Sequence, residues 1–122
     1  MLNIDVLADR NIVVLTPDGA LEAADFVLAA HAIDPLIAAN NRLAGLMVHA
    51  GSFPGWRDFG AVKAHLTFVR EHQRRIERLA VVTDSAFLKM MAGIAGAFVH
   101  PQVRQFGLGE KERALSWLEA GR

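Results

Sequence analysis

The sequence contains no cysteine, and this absence excludes several classes of function. Without a thiol the chain forms no disulfide, builds no cysteine metal site and performs no thiol catalysis. The longest apolar stretch, residues 87–99, is interrupted by Lys89 and two glycines and stays short of the ~18 apolar residues that predict a membrane span. The N-terminus carries early acidic residues and no apolar core, unlike a secretory signal. We therefore expect a cytoplasmic protein that is not transmembrane.

The chain also lacks an excess of charge of either sign. Its 13 basic and 13 acidic residues give a formal net charge of +0. A neutral domain has no broad positive field of the kind that a general nucleic-acid binder uses. Four arginines cluster near the end of a predicted helix, where cations complement the helix dipole, and no stacking aromatics lie between them. They are Arg70, Arg74, Arg75 and Arg78. We expect no nucleic-acid partner.

The length and the hydrophobic content of the chain predict one domain, residues 1–122. Hydrophobic residues make up 52% of the 122 residues, enough to bury a core without metal or disulfide support. Short apolar runs bounded by turn residues predict strands, and apolar residues at helical spacing predict helices. The predicted strands cover residues 3–7, 11–16, 43–49, 79–83 and 103–106, and the predicted helices cover residues 20–40, 58–72, 86–99 and 109–120.

The order of these elements, β-β-α-β-α-β-α-β-α, defines the expected fold class. It predicts an α/β fold with four helices and a mostly parallel sheet of about five strands. The first two strands are close enough to form a hairpin, so the first strand is expected to run antiparallel at an edge. Asp18 is expected to cap the first helix, and Pro35 to kink or split it.

Apolar patterns indicate which faces of these elements are buried. The second and third helices each carry an apolar stripe that we expect to pack in the core. The stripes are Phe59, Val62, Leu66 and Val69 on the second helix and Phe87, Met91, Ile94 and Phe98 on the third. In the third strand, Leu46 and Val48 point to one face and Met47 to the other. If the helices cover mainly one face, a homodimer would cover the second.

Three stretches of the chain resemble the SpoIIAA-like family of the STAS/SEC14-type superfamily. They are GALEAADF at residues 19–26, GWRDFGAVKAHLTFVREHQRRIERLAVVTDSAF at residues 55–87 and VRQFGLGEKERALSWLE at residues 103–119. The third stretch, with its acidic helix start and its Ala-x-x-Trp-Leu pattern, is the most specific. The resemblance implies a SpoIIAA-like, STAS-type α/β domain. It implies no particular activity, because the family is largely uncharacterised.

Two related groups of domains indicate two kinds of function. STAS regulators carry a serine at a helix start whose phosphorylation switches protein partners, and the matching loop here contains Ser52 without the Asp-Ser-Ser-Gly type of motif. SEC14-type domains bind lipids in a cavity between helices and sheet. The resemblance therefore implies either a regulatory protein partner or a small apolar ligand or lipid.

Catalytic and metal-binding patterns are incomplete. Ser52, His49 and Asp84 fall near strand ends, where a serine-hydrolase triad would assemble. No Gly-x-Ser-x-Gly motif occurs, and helix capping explains the residue types at 84 and 85. His65 and His72 lie two helical turns apart, too far for one metal ion, and no His-x-x-x-His motif occurs. We expect no enzyme activity, no metal and no cofactor.

The third predicted helix contains Gly93 and Gly96, each of which costs about 1 kcal/mol relative to alanine. Close packing against the sheet, a dimer face or a groove for an apolar ligand would each explain them, and methionine and phenylalanine adapt well to apolar ligands. The predicted ligand-binding residues are His49, Ser52, Trp56, Asp84, Phe87 and Met91. We therefore expect a non-catalytic binding or regulatory module.

Overall fold

A computed structural model describes residues 1–121 and contains one sheet with the strand order β1-β2-β3-β4-β5. Strand β1 pairs antiparallel with β2 at one edge, and the other three pairs are parallel. This confirms the predicted α/β class and its antiparallel edge strand. The strands are β1 Leu2–Leu7, β2 Ile12–Pro17, β3 Leu43–His49, β4 Ile76–Val82 and β5 Gln102–Phe106.

Four α-helices connect or follow these strands. They are α1 Ala23–Asn40, α2 Phe59–His72, α3 Ala86–Gly96 and α4 Lys111–Glu119. Short 3-10 helices cover Ala8–Arg10, Gln73–Arg75 and Leu108–Glu110. Strand β4 begins three residues before the predicted start, and α3 ends three residues before the predicted end. No helix of residues 1–121 combines the length and the apolar character that crossing a membrane requires.

Side-chain caps set the helix starts. Asp58 caps α2 by accepting a hydrogen bond at 2.9 Å from the backbone N–H of Ala61, and Ser85 caps α3. The prediction that Asp18 caps the first helix is wrong. Helix α1 begins later, with Glu22 as its N-cap residue in a capping box that Asp25 completes.

Pro35 does not split α1, which runs unbroken over 18 residues. A proline inside a helix removes one N–H donor and leaves the carbonyl of the residue four positions earlier without its partner. Both Pro35 and His31 are exposed, so water can satisfy that carbonyl. The opposite side of α1 is anchored in the core through Phe26, Ala29 and Ile33, all buried.

The helices divide unequally between the two faces of the sheet. Alternate residues of the strands form two buried clusters, one packed against α1 and α2 and one packed against α4. The second cluster includes Met47, Ala80 and Leu118, each fully buried. The face that was expected to need a homodimer is therefore covered by α4 of the same chain. Homodimer formation stays a prediction, but an uncovered face of the sheet no longer supports it.

The expectation that the apolar stripes of α2 and α3 face the core is wrong at most positions. On α2, Phe59 is 80% and Leu66 is 67% exposed, while Phe68 is buried. The four residues of the stripe predicted for the third helix are all exposed, up to 83% at Phe98, which lies beyond the end of α3. Helix α3 instead lies on the sheet through small residues: a Cβ at Gly96 would meet Val103 at 3.3 Å. Close packing against the sheet thus accounts for that glycine.

Candidate functional site

Two adjacent cavities lie between the sheet and the helices that cover one of its faces. The α3-side cavity has a volume of about 190 Å³ and reaches Ala95 of α3. The α1-side cavity has a volume of about 170 Å³ and reaches Ala29 of α1. Both are bounded by the same part of α2 and of the sheet. The shared lining residues are Leu46, His65, Phe68, Val69 and Leu79.

The lining of these cavities is almost entirely apolar. Besides carbon side chains it contains His65, His72 and Gln73, and it contains no lysine, arginine, aspartate or glutamate. His72 is occupied by structural hydrogen bonds, because its Nδ1 lies 2.9 Å from the carbonyl oxygen of Phe68 and its Nε2 lies 2.9 Å from Oδ1 of Asp34. His65 is therefore the shared polar side chain of a largely apolar space.

His65 is held by two aromatic neighbours. Phe26 stacks on its ring with centroids 4.8 Å apart and planes at 21°. The indole Nε1–H of Trp56 donates a hydrogen bond to Nδ1 of His65 at 3.1 Å. An indole nitrogen can only donate, so Nδ1 carries no proton and the proton of the neutral ring is on Nε2. Burial lowers the pKa of His65, which favours the same neutral form.

The loop before α2 places Trp56 by backbone pairing. The N–H of Leu21 donates to the carbonyl of Gly55 at 2.9 Å, and the N–H of Arg57 donates to the carbonyl of Leu21 at 2.8 Å. These bonds form an isolated parallel bridge beyond the end of β2. Gly55 has a φ of 77°, a backbone conformation that glycine adopts without strain. Backbone hydrogen bonds to Leu21 thus hold the chain on both sides of Trp56.

An aromatic chain continues from Trp56 across to α3. Phe53 makes an edge contact with Trp56 at 5.0 Å between centroids, and it contacts Phe87 at 5.5 Å. We call Phe53, Trp56, His65 and Phe87 the aromatic cluster. It joins α2 to α3 at the carboxyl ends of the parallel strands, the edge at which ligands of open α/β sheets bind. Of the predicted ligand-binding residues, Trp56 and Phe87 belong to this cluster.

The other predicted residues lie elsewhere. Met91 is on the exposed face of α3, one turn from Phe87. Ser52 is exposed in the loop, and α2 does not begin until Phe59, so the serine is not at a helix start. No hydrogen bond joins Ser52 to another described residue.

His49 and Asp84 do not join the aromatic cluster. His49 follows Met47 by two residues in β3 and therefore points toward the α4 face of the sheet. Oδ1 of Asp84 accepts a hydrogen bond from the backbone N–H of Leu108 at 3.1 Å, which fastens the connection between β5 and α4. Within residues 1–121, Ser52, His49 and Asp84 share no hydrogen bond. Residues 1–121 also contain no group of three or more histidine, aspartate or glutamate side chains that could hold a metal ion.

Sequence reasoning missed His65 as a site residue. It was considered only as a metal ligand paired with His72. The signal that was available is its spacing, because residues 61, 65, 68 and 72 form one helical stripe that includes the buried Ala61, Phe68 and His72. A histidine within a buried stripe indicates a polar group facing the interior. Phe53 carried no comparable signal, because loop contacts do not follow a period.

Helix α3 adds an apolar surface beside the cavities. Five large side chains on α3 and in the turn that follows it are exposed by 43% or more: Phe87, Met90, Met91, Ile94 and Phe98. Such a concentration in one segment is uncommon on a protein surface that contacts only water. The basic residues Lys89 and Arg104 lie on α3 and β5, and residues 85–109 contain no acidic residue.

Comparison with known proteins agrees with this architecture. A family model described as SpoIIAA-like matches residues 12–119. The crystal structure of an uncharacterised protein from the DUF3478 family, with a SpoIIAA-like fold and from Shewanella loihica PV-4, superposes with a TM-score of 0.76. The two chains are 17% identical over 97% of this chain and 92% of that one, so the likeness concerns the fold alone. No curated protein matches the chain.

Proposed function

We propose a binding function for this chain, which belongs to the SpoIIAA-like family. It acts as a non-catalytic module that takes a small apolar ligand between the helices and the sheet. The observation that carries this proposal is the pair of adjacent cavities beneath α2, lined by the same five residues. The family match supports the fold and leaves the ligand open, so the argument rests on the cavities.

The size of the cavities fits a small ligand. An engineered apolar cavity of about 150 Å³ binds benzene, and each cavity here is slightly larger. Ligand pockets for larger molecules span roughly 300–1,000 Å³, which neither cavity reaches alone. Phe68 lines both cavities, so a rotation of this side chain would extend one space into the other. The site therefore suits one ring-sized molecule, or a short chain that displaces Phe68.

The burial pattern supports the same proposal. Leu79 lies in the middle of β4 and Val69 on the inner side of α2, yet both remain partly exposed. Apolar side chains at such positions gain about 25 cal/mol for each Å² that a ligand removes from water. The free energy for binding thus comes from surface that the fold itself leaves uncovered.

Calorimetric titration with toluene, an uncharged probe with a single ring, tests this proposal. We expect saturable binding with one probe per chain. Val69→Trp fills the shared part of the cavities and is expected to weaken binding at least ten-fold, about 1.4 kcal/mol. Leu66→Trp adds the same indole three residues earlier on the outer face of α2, where Leu66 is exposed, and is expected to leave the affinity unchanged.

A second lining variant protects the test against a folding defect. Ala95→Leu enters the α3-side cavity from α3 and is expected to weaken probe binding without touching α2. Circular dichroism reports whether each variant is folded. Binding that is unsaturable, or equal in the wild type and in both lining variants, would contradict the proposal. Native mass spectrometry of freshly purified protein then shows whether a molecule from the cell is retained.

A second candidate function is a partner-switching regulator, and the exposed apolar face of α3 favours it. Phe98→Ser removes the most exposed side chain of that face, and Ser52→Glu imitates a phosphorylated loop. A pull-down comparing both variants with the wild type is expected to lose a specific protein in at least one variant. Identical partner sets in all three proteins, or no partner, would contradict this function. We also propose that the protein is cytoplasmic. We propose that it forms a homodimer, and the molar mass from light scattering tests this.

A further inference from the structure

We propose that the ligand is uncharged and carries one hydrogen-bond acceptor, a ketone or ester oxygen, that accepts a hydrogen bond from Nε2–H of His65. This inference rests on the proposed function, because it names the chemistry of the molecule that fills the same cavities. Its basis is a histidine with one nitrogen fixed by Trp56 and the other without a partner in the described structure. The hydrogen-bonding geometry of the His65 ring thus favours an uncharged ligand with an acceptor oxygen.

The first step is the direction of the Trp56–His65 hydrogen bond. Nε1 of Trp56 donates, so Nδ1 of His65 must present a lone pair. A neutral imidazole then carries its proton on Nε2 and can only donate there. A doubly protonated ring could not accept from Trp56, and the bond would be lost. The site is therefore built to hold His65 neutral, with a donor on its free side.

The second step is the surroundings of Nε2. No acceptor for this nitrogen occurs among residues 1–121, although every fully buried side-chain nitrogen and oxygen there has a hydrogen-bond partner. Nε2 is therefore not fully buried and is accessible to water or to a bound molecule. His65 lines both the α3-side and the α1-side cavity, and Phe26 covers one face of its ring. A carbonyl oxygen that enters the cavity can replace water as the acceptor of this N–H group.

The third step concerns charge. The cavity lining contains no lysine or arginine, so a bound carboxylate would lose its water without gaining a counter-charge. Proton transfer from a fatty acid to His65 would break the bond to Trp56. His72 cannot supply the counter-charge, because Asp34 already pairs with it. A carbonyl oxygen accepts from Nε2–H without either cost.

Three eight-carbon probes separate the alternatives: octan-2-one, oct-1-ene and octanoate. Chemical-shift titration of the full chain labelled with ¹⁵N-histidine measures their affinities and reports on each imidazole nitrogen. Octan-2-one is expected to bind about five-fold more tightly than oct-1-ene, the ratio that corresponds to one ordinary hydrogen bond. It is also expected to shift Nε2 of His65, while octanoate binds at least ten-fold more weakly than the ketone.

His65→Phe keeps an aromatic ring against Phe26 and removes the donor. The preference for the ketone over the alkene is expected to disappear in this variant and to persist in His100→Phe, where an exposed histidine changes. The Nε2 shift in the wild type is a readout that survives even if His65→Phe fails to fold.

The outcomes distinguish this inference from the proposed function. Equal binding of ketone and alkene to the wild type would overturn the inference and leave the apolar binding function standing. Tighter binding of octanoate than of octan-2-one would overturn the uncharged class. If none of the three probes binds, both the inference and the proposed function fail. A ketone preference that requires His65 and not His100 supports the inference.

Discussion

Acid is expected to destabilise the protein through His65. Burial lowers the pKa of this histidine below its ordinary value of 6.5, and the hydrogen bond from Trp56 exists only with the neutral ring. Above pH 6.5 the side chain is mostly neutral in both the folded and the unfolded chain. Below that pH the unfolded chain takes up a proton that the folded chain resists. The unfolded state then binds more protons, so the free energy of unfolding falls as the pH falls.

The magnitude follows from proton linkage. One proton changes the free energy of unfolding by at most about 1.4 kcal/mol for each pH unit. If the folded chain keeps His65 neutral throughout, the loss between pH 7.5 and 5.5 is at most about 1.4 kcal/mol. With a urea m-value of about 2 kcal/mol/M, the midpoint of urea unfolding falls by about 0.7 M. This window lies above the range in which ordinary carboxyl groups titrate.

Urea unfolding of the wild type and of His65→Phe at pH 7.5, 6.5 and 5.5 measures this contribution. Other titrating groups affect both proteins, so the difference between the two pH profiles isolates His65. Trp56→Phe provides a second comparison: because burial is the cause of the lowered pKa, this variant is expected to retain most of the slope. Parallel profiles for the wild type and His65→Phe would refute the reasoning.

Three further predictions concern other parts of the fold. Gly45→Ala is expected to lower the free energy of unfolding, measured in urea, by about 1–3 kcal/mol, because its new Cβ would lie 2.6 Å from an atom of α4. Gly51→Ala is the control: its Cβ would have nothing within 4 Å, so the free energy of unfolding is expected to change by less than about 0.5 kcal/mol. Asp58→Ala removes the α2 cap and is expected to cost about 1 kcal/mol by the same assay, with Asp58→Asn close to the wild type. Phe98→Ser is expected to leave the free energy of unfolding within about 0.5 kcal/mol and to shorten retention on a hydrophobic column; a larger loss of stability would mean that this side chain is not exposed.

The sequence predicted the sheet well because its signals there are local. The apolar run at residues 43–49 coincides with β3, and the cap at Ser85 coincides with the start of α3. A strand buried on both faces and a serine before an apolar helix each need only a few neighbouring residues to be identified. The misplaced cap at Asp18 has a different origin. The chain between β2 and α1 first pairs Leu21 with the loop at Trp56, which delays the helix start.

The orientation of the helices was not predictable in the same way. Helix α2 carries two apolar stripes, one at residues 59, 62 and 66 and one at residues 61, 65, 68 and 72, and both have helical spacing. The first contains the larger and more apolar side chains, yet the second faces the sheet. Periodicity identifies a stripe but not its partner, since the partner is set by tertiary contacts.

The inverted arrangement of α2 and α3 is itself an argument for function. Placing Phe59, Leu66 and Phe98 in water and a histidine beside the core lowers stability compared with the opposite choice. Sequences that depart from the pattern favoured by stability do so most often at functional sites. The departures here occur on α2 and α3, two of the three helices that border the cavities, while α4, on the opposite face, buries Ala114, Leu115 and Leu118 as its pattern predicts. Their position on the cavity side of the sheet is what a binding function at that side predicts.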